Sequence, residues 1–376
     1  MTEPLSVIWF KRDLRVMDHL PLTVGAETGR VLLLYMIEPE MIRASDFDPM
    51  HWTFIREALE DLQQSLKNRG ACLQIVEGEA VEILESLYQK YSFSQLLAHE
   101  ETGNALSFSR DQRVRAWAKH EGVSFREFPQ NGVVRGLKNR DGWSGVWEER
   151  MSEAPCRPPY KLTGVGGSMK LHFPSLEHLK CKTTPRDVKL PGGESPALEL
   201  LESFISSRGH RYHKEMSSPL SAYESCSRLS PYIAWGCISM RTVVQRVRRA
   251  AGGEMPKVAA RSFLSRCHWH CHFIQKLESE PEIEYRAFNP LCEGLRKDGN
   301  SRELLAAWKT GKTGYPFVDA CMRSLKSRGW INFRMRAMLV SFASYHLWLE
   351  WTVFRDWLAC QFIDYEPGIH FSQIQM

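Results

Sequence analysis

No stretch of about 18 apolar residues runs uninterrupted by charge, so the chain offers no candidate membrane-spanning helix. The N-terminal Met1-Thr-Glu-Pro-Leu-Ser6 lacks the basic and then apolar blocks of a signal peptide, and a cytoplasmic protein is expected. The 10 cysteines include no CxxC pair, which fits reduced, mostly buried thiols rather than a disulfide framework. No GxGxxG follows the first apolar run, so the conventional dinucleotide fingerprint is absent. The Gly311-Lys-Thr313 triplet lacks the first glycine of a P-loop, because Ala306 stands where it is needed. A helix end, a glycine turn and a new helix from Pro316 explain that run better than a nucleoside triphosphatase does. There is no internal repeat and no low-complexity tract.

What is present divides by periodicity. Ser6–Phe10, Val31–Met36, Cys72–Val76 and Gln95–Ala98 are short, near-continuous apolar runs separated by amphipathic segments around 52–68, 79–91 and 105–121. That alternation predicts a parallel sheet covered by helices on both faces. From about Gly142 to Ala197 the periodicity fades, and seven prolines, Pro185 among them, crowd in with glycines. This reads as an interdomain connector that wraps over the protein surface. Leu198–Ser206, Pro231–Ala251, Ala260–Glu278, Ser301–Trp308, Pro316–Arg328 and Met335–Cys360 then carry helical periodicity, so the second domain is expected to be all-helical.

Charge is uneven. The formal net charge is +5, and Arg208, Arg211, Lys214, Arg241, Arg246, Arg248, Arg249, Arg323, Lys326, Arg328, Arg334 and Arg336 place basic residues in the second half. Such clustering suits a polyanion, although solvated helix faces account for any single one of them.

Several segments could carry chemistry. The run Ser225–Ser239 sets the short hydroxyls of Ser227 and Ser230 ahead of a helix opened by Pro231, where backbone donors could seat a phosphate; a capping serine before a core helix would look the same. Tyr212 lies shortly before it, a phenol among cations. In Arg266–Phe273, Cys267/Cys271 and His268/His272 have metal-like spacing, but the cysteines fall on an apolar stripe with Leu264 and Ile274, which argues against zinc. Arg266, Trp269, His270 and Phe273 share another face and could stack on a flat ligand or base. Arg334 and Arg336 open a mainly apolar helix, with Asp364 and Glu366 as available carboxylates; an Arg336–Asp364 pair could stabilise charge on a ring ligand or be purely structural. Tyr345, Trp348, Trp351, Phe354 and Trp357 are expected on two faces of one helix, mostly as core.

Together these segments resemble the cryptochrome/photolyase family. Val7–Leu22 is similar to its opening strand and loop, and Cys226–Tyr232 and Gly311–Arg323 to its flavin domain, in order. The resemblance implies an α/β antenna domain (1–130), a linker (131–197) and a helical domain (198–376) holding FAD in a U-shape. By correspondence, the flavin set is Tyr212, Cys226 (in place of the family's threonine), Ser227, Leu229, Ser230, Arg336, Asp364, Glu366 (for a second aspartate) and His370 (for an asparagine near flavin N5), and Arg228 and His270 are expected beside them. Trp269 matches the tryptophan that stacks on the lesion, and Arg266 and Met376 are placed with it at the substrate side. Arg266 stands where dimer photolyases have a glutamate, and it cannot accept a hydrogen bond from the lesion. Trp351 matches the middle relay tryptophan, Ile374 replaces the one nearest the flavin, and Trp348, Trp357 and Tyr365 are alternative electron carriers. Glu100 and Glu101 lie where family members bind a second, antenna chromophore. The chain stops at Met376, before the segment that usually completes the flavin pocket, so the C-terminal end is expected to be missing. The function implied is blue-light-driven repair of UV-damaged DNA by a monomeric deoxyribodipyrimidine photolyase-type lyase. In it, excited reduced flavin lends an electron to a flipped-out pyrimidine lesion. The alternative is a cryptochrome-like photoreceptor that repairs nothing.

Overall fold

The computed structural model describes residues 4–181, 188–296 and 301–376; Pro185 of the connector lies outside the described residues. The strands β1 (Leu5–Phe10), β2 (Arg30–Ile37), β3 (Leu73–Glu77), β4 (Gln95–His99) and β5 (Ser124–Phe128) form a sheet in the spatial order β3-β2-β1-β4-β5. All neighbours run parallel. Every residue of β1 is buried, because Leu5, Val7 and Trp9 pack into one layer while Ile8 and Phe10 pack into the other. A sheet covered on both faces requires such a run. β5 was not anticipated from the sequence. It is an edge strand on which exposed and half-buried residues alternate around Arg126, so it shows no continuous apolar signal. A two-residue β6 (Thr163–Gly164) in the connector also joins β2.

Helices α1 (Leu20–Thr28), α2 (Pro49–Lys67), α3 (Ala80–Tyr91) and α4 (Ala105–Glu121) flank the sheet. α2 starts where Asp48 and His51 form a reciprocal cap and Pro49 fixes the first turn. The connector is anchored: α5 (Trp143–Ser152) buries Trp143 and Trp147, and Asp18 and Cys156 exchange hydrogen bonds of 2.8 and 3.0 Å. Beyond it come α6 (Glu194–Ser206), α7 (Ser230–Ala234), α8 (Met240–Ala250), α9 (Lys257–Ser279), α10 (Arg302–Thr310), α11 (Pro316–Arg328), α12 (Phe333–Ser341), α13 (Arg355–Ala359) and α14 (Pro367–Gln375).

Two long helices expected from periodicity are broken. The expected Pro231–Ala251 helix divides into α7 and α8 at Gly236, which has φ +66°. A Cβ there would lie 2.1 Å from the Arg12 carbonyl oxygen, so glycine lets the loop after β1 press against the helical half. The expected Met335–Cys360 helix stops at Ser341, widens into a π-type turn at Phe342–His346, and then reverses at Trp348, which has φ +54°. Neither glycine nor proline marks that break.

The two halves share a core. One buried cluster runs from Ile8 and Phe10 through Phe54 and Leu59 of α2 to Phe204, Tyr232, Phe263 and Cys271. Polar ties cross the same boundary: the Val16 and Met17 amides donate to the Glu194 carboxylate at 2.9 Å each, and His51 Nε2 meets the Phe362 carbonyl at 2.8 Å. No helix among the described residues is long and apolar enough to cross a membrane.

Candidate functional site

The helical half encloses a cavity of about 430 Å³, within the usual range for organic ligands. One wall is a face of α9, where Phe263, Arg266, Cys267, Trp269, His270 and Phe273 point inward at helical spacing. The opposite walls come from Tyr212, the Cys226–Ser230 turn, the Trp330–Arg336 segment, and Asp364, Glu366, Ile369, Gln373 and Met376.

At one end stands the serine-rich turn. Arg208 donates to the Cys226 carbonyl at 2.6 Å, the Ser227 hydroxyl accepts from the Leu229 amide at 3.3 Å, and Arg228 holds the left-handed conformation at φ +57°. Its guanidinium lies 4.6 Å from the Tyr223 ring, with Nε unpartnered and buried. The Ser230 hydroxyl accepts from Trp330 Nε1 at 3.2 Å, which leaves its own proton to donate. The helix that follows is only five residues long. The donor set at this end is therefore side-chain hydroxyls and Arg228 more than the helix terminus expected from the sequence. Burial holds the Tyr212 phenol and the Cys226 thiol in their neutral forms, the latter pushed up to about 12.

At the other end, Arg336 Nη2 bonds both Asp364 oxygens at 2.9 Å, and the guanidinium lies 3.8 Å from the Phe362 ring. Asn332 caps α12 by accepting from the Met335 amide and ties it to the Met216 and Ser218 carbonyls. Burial lowers His270 to about 4, so the imidazole is neutral at pH 7; burial raises Glu366 to about 7 against the pull of Arg12, 3.7 Å away. His270 Nδ1, Glu366 Oε1 and Gln373 Nε2 are buried without a hydrogen-bond partner. Unsatisfied buried polar atoms of this kind are costly and call for a ligand.

Some of the expected residues are not brought to this cavity. His370 is not on its wall: α14 presents Glu366, Ile369, Gln373 and Met376, and His370 falls about a quarter turn away. Its Nε2 instead meets the Arg355 carbonyl at 2.9 Å, and its ring packs edge-on against Tyr365. Trp348, Trp351 and Trp357 do not line the cavity either. Trp351 is buried beside Arg355, Trp348 is exposed over Arg296, and Trp357 contacts Trp308 with ring centres 5.5 Å apart. No ring contact among the described residues connects these three to the cavity. Trp330, Asn332, Ile369 and Gln373 are wall residues that the sequence reading missed. Only the helical spacing from Glu366 to Met376 could have indicated the last two.

His268 and His272 pack edge-on against Trp143, at 4.9 and 5.6 Å. A buried trio not anticipated from sequence is Asp13, His19 and His99, in which one Asp13 oxygen meets both imidazoles at 2.9 and 2.8 Å. The His19 Nδ1 accepts from the Leu22 amide, so its Nε2–H faces Asp13, and the trio is a hydrogen-bonded lock at the end of β1.

A second cavity of about 130 Å³ lies at the carboxyl ends of β1, β2 and β4, where the strand order reverses. Glu101 lines it, but Glu100 does not. Glu101 and Glu38 both grip Arg110 at 2.6 Å, while Asp46 accepts from Tyr365 and Asn104. The space is below the usual range for organic cofactors, and these carboxylates are already paired.

The larger cavity opens on a basic and aromatic rim. Trp269 and Phe333 are 44% and 46% exposed, and Arg266 and Arg334 are exposed beside them. Many other cations of the second half are neutralised: Arg211 by Glu215, Arg241 by Asp18 and Glu153, Arg246 by Glu202 and Glu254, and Arg248 by Glu148. Arg228, Arg266 and Arg334 form no ion pair among the described residues, so the uncompensated positive charge on the cavity wall lies with them.

Comparison with known proteins accords with this geometry. Residues 6–138 match the DNA photolyase family, and residues 263–376 match the FAD binding domain of DNA photolyase. The chain is 24% identical to the deoxyribodipyrimidine photo-lyase of Alkalihalophilus pseudofirmus, over 98% of this chain and 78% of that protein. It is 26% identical to cryptochrome-2 of Gallus gallus, over 92% of this chain and 64% of that protein. The bacterial class III photolyase of Agrobacterium tumefaciens superposes with a TM-score of 0.85 at 24% identity, covering 100% of this chain and 80% of that one. The two family models, which between them match residues 6–138 and 263–376, place the chain in the photolyase/cryptochrome family, and the shared fold agrees.

Proposed function

We propose that the chain binds FAD in the larger cavity and repairs UV-induced pyrimidine photoproducts in DNA under blue light. The observation that carries this reading is the rim, where exposed Trp269 and the uncompensated Arg266 and Arg334 flank the mouth of the cavity. Aromatic faces stack on extruded bases, and arginines hold phosphates. When bound, the flavin would supply the light-driven electron that opens the lesion. The chain's own residues would hold and tune it: Ser227, Ser230 and Arg228 at the pyrophosphate, the Arg336–Asp364 pair at the ring, and His270, Glu366 and Gln373 as donors and acceptors awaiting partners. The division into 1–130, 131–197 and 198–376 belongs to the same proposal, as do a monomeric state and a reducing, cytoplasmic location consistent with ten free cysteines.

Two observations favour a second reading, a photoreceptor without repair activity. Arg266 offers only donors where a lesion's N3–H would need an acceptor, and the three tryptophans proposed as electron carriers stay off the cavity wall. The absorption spectrum of the purified protein tests both, since neither survives if no flavin copurifies and none can be bound. Blue-light treatment of UV-irradiated DNA with the flavin-loaded protein separates them: loss of dimers is expected, and intact dimers would leave the photoreceptor.

A further inference from the structure

Between the two cavities lies a third, of about 30 Å³, walled by Arg12, Glu101, Gln130, Asn131, His270 and Glu366. It shares His270 and Glu366 with the larger cavity, and Arg12 and Glu101 with the cavity at the strand ends. The three therefore form a row from the interior of the helical half to the strand ends. A space of this size holds about two waters, and its polar lining supplies the two to four partners that a buried water needs. Glu366 is 8% exposed, and its Oε1 has no partner; His270 Nδ1 on the facing helix has none either. The other Glu366 oxygen faces Arg12 at 3.7 Å.

We propose that the small cavity holds a pair of waters that carry protons between the cavity at the strand ends and the larger cavity, with the Glu366 carboxyl giving and taking the proton at the shared wall. In each transfer the Glu366 O–H bond breaks as a bond to hydrogen forms on the acceptor in the larger cavity. A water on the other side then restores the carboxyl proton and is itself resupplied from the cavity at the strand ends. No electron moves in this step. The groups that face Glu366 set the direction of transfer. Arg12, from the loop after β1, favours the carboxylate; Glu101, from the loop after β4, opposes it; and the His270 imidazole on α9 is neutral. Burial outweighs Arg12, so the carboxyl keeps its proton up to about pH 7 and can exchange it near neutrality. The role of the acceptor rests on the FAD reading; the exchanging carboxyl and its waters do not.

Infrared spectroscopy of the purified protein, with and without added FAD, separates the two. The carbonyl band of a protonated carboxylic acid is expected near pH 6 in both forms, absent from Glu366→Gln and lost as the pH rises through about 7. In D₂O the band should shift within mixing time. Ala234→Val, which adds bulk to the small cavity, should slow that shift at least about tenfold by forcing exchange through local opening. Should Ala234→Val fail to fold, Thr102→Ile narrows the same space from the half-buried opposite wall. No Glu366-dependent band between about pH 5 and about pH 9, or exchange equally fast in the filled variant, overturns the proposal even if flavin binds normally.

Discussion

Glu366 makes a measurable demand on the stability of the apoprotein. Burial raises its carboxyl from the ordinary 4.5 to about 7, with Arg12 opposing the rise and Glu101 adding to it. A rise of that size corresponds to about 3 kcal/mol of differential protonation between the folded and unfolded chains. The folded state binds the proton more tightly, so this contribution is fully present below 4.5, where both states are protonated. It declines as the unfolded chain ionises first, and is lost once the pH passes about 7. Glu366→Gln keeps the shape of the neutral carboxyl and cannot ionise. At pH about 8 the variant should therefore exceed the native chain by about 3 kcal/mol, and near pH 4.5 the two should coincide. Urea unfolding of both apoproteins across this range, followed by tryptophan fluorescence, gives the difference directly. Other buried carboxyls, Glu38, Glu194 and Glu284 among them, are raised in the same direction and steepen both curves equally. Parallel curves would refute the reasoning, because they would mean that Glu366 titrates alike in the folded and unfolded chains.

Replacing Trp269 by alanine should weaken binding to UV-irradiated single-stranded DNA by about 1–3 kcal/mol, roughly 5- to 150-fold, through the lost stacking surface. Fluorescence anisotropy with irradiated and intact strands measures this, and unchanged affinity for the irradiated strand would remove Trp269 from the site. Cys226→Thr restores a hydroxyl at the turn beside Ser227 and should tighten FAD binding by about 0.5–1.5 kcal/mol; isothermal titration with FAD would expose the idea as wrong if the affinity fell or stayed level. Gly236→Ala should cost on the order of 3 kcal/mol or more, since the residue sits at φ +66° and its new Cβ would meet the Arg12 carbonyl at 2.1 Å. A thermal melt within a degree or so of the native one would show that the loop after β1 yields freely.

The parts of this molecule that were legible in its sequence are those whose signal is local. β1 and β2 read as strands because burial on both faces demands an unbroken apolar run, whereas the edge strand β5 carries Arg126 and Glu127 and reads as polar. The α9 wall was legible because Arg266, Trp269, His270 and Phe273 recur at helical spacing within one element. His370 was assigned by its place in a motif, and the rotation of α14 puts Gln373 on the cavity instead. Charge was the least legible property, because its meaning depends on partners far away in the chain. Arg241 and Arg246 read as part of a basic patch until Asp18, Glu153, Glu202 and Glu254 are seen to neutralise them. Conversely, Arg12 carries no local signal of involvement with the site. Yet Gly236 lets its backbone approach α7, its Nε bonds the Ala234 carbonyl at 2.8 Å, and its Nη2 lies 3.7 Å from Glu366. A cation from the sheet half thus opposes the burial of a carboxyl in the helical half. The protonation of the cavity's inner wall is therefore set by how the two halves pack, and a change at Gly236 should be felt at Glu366.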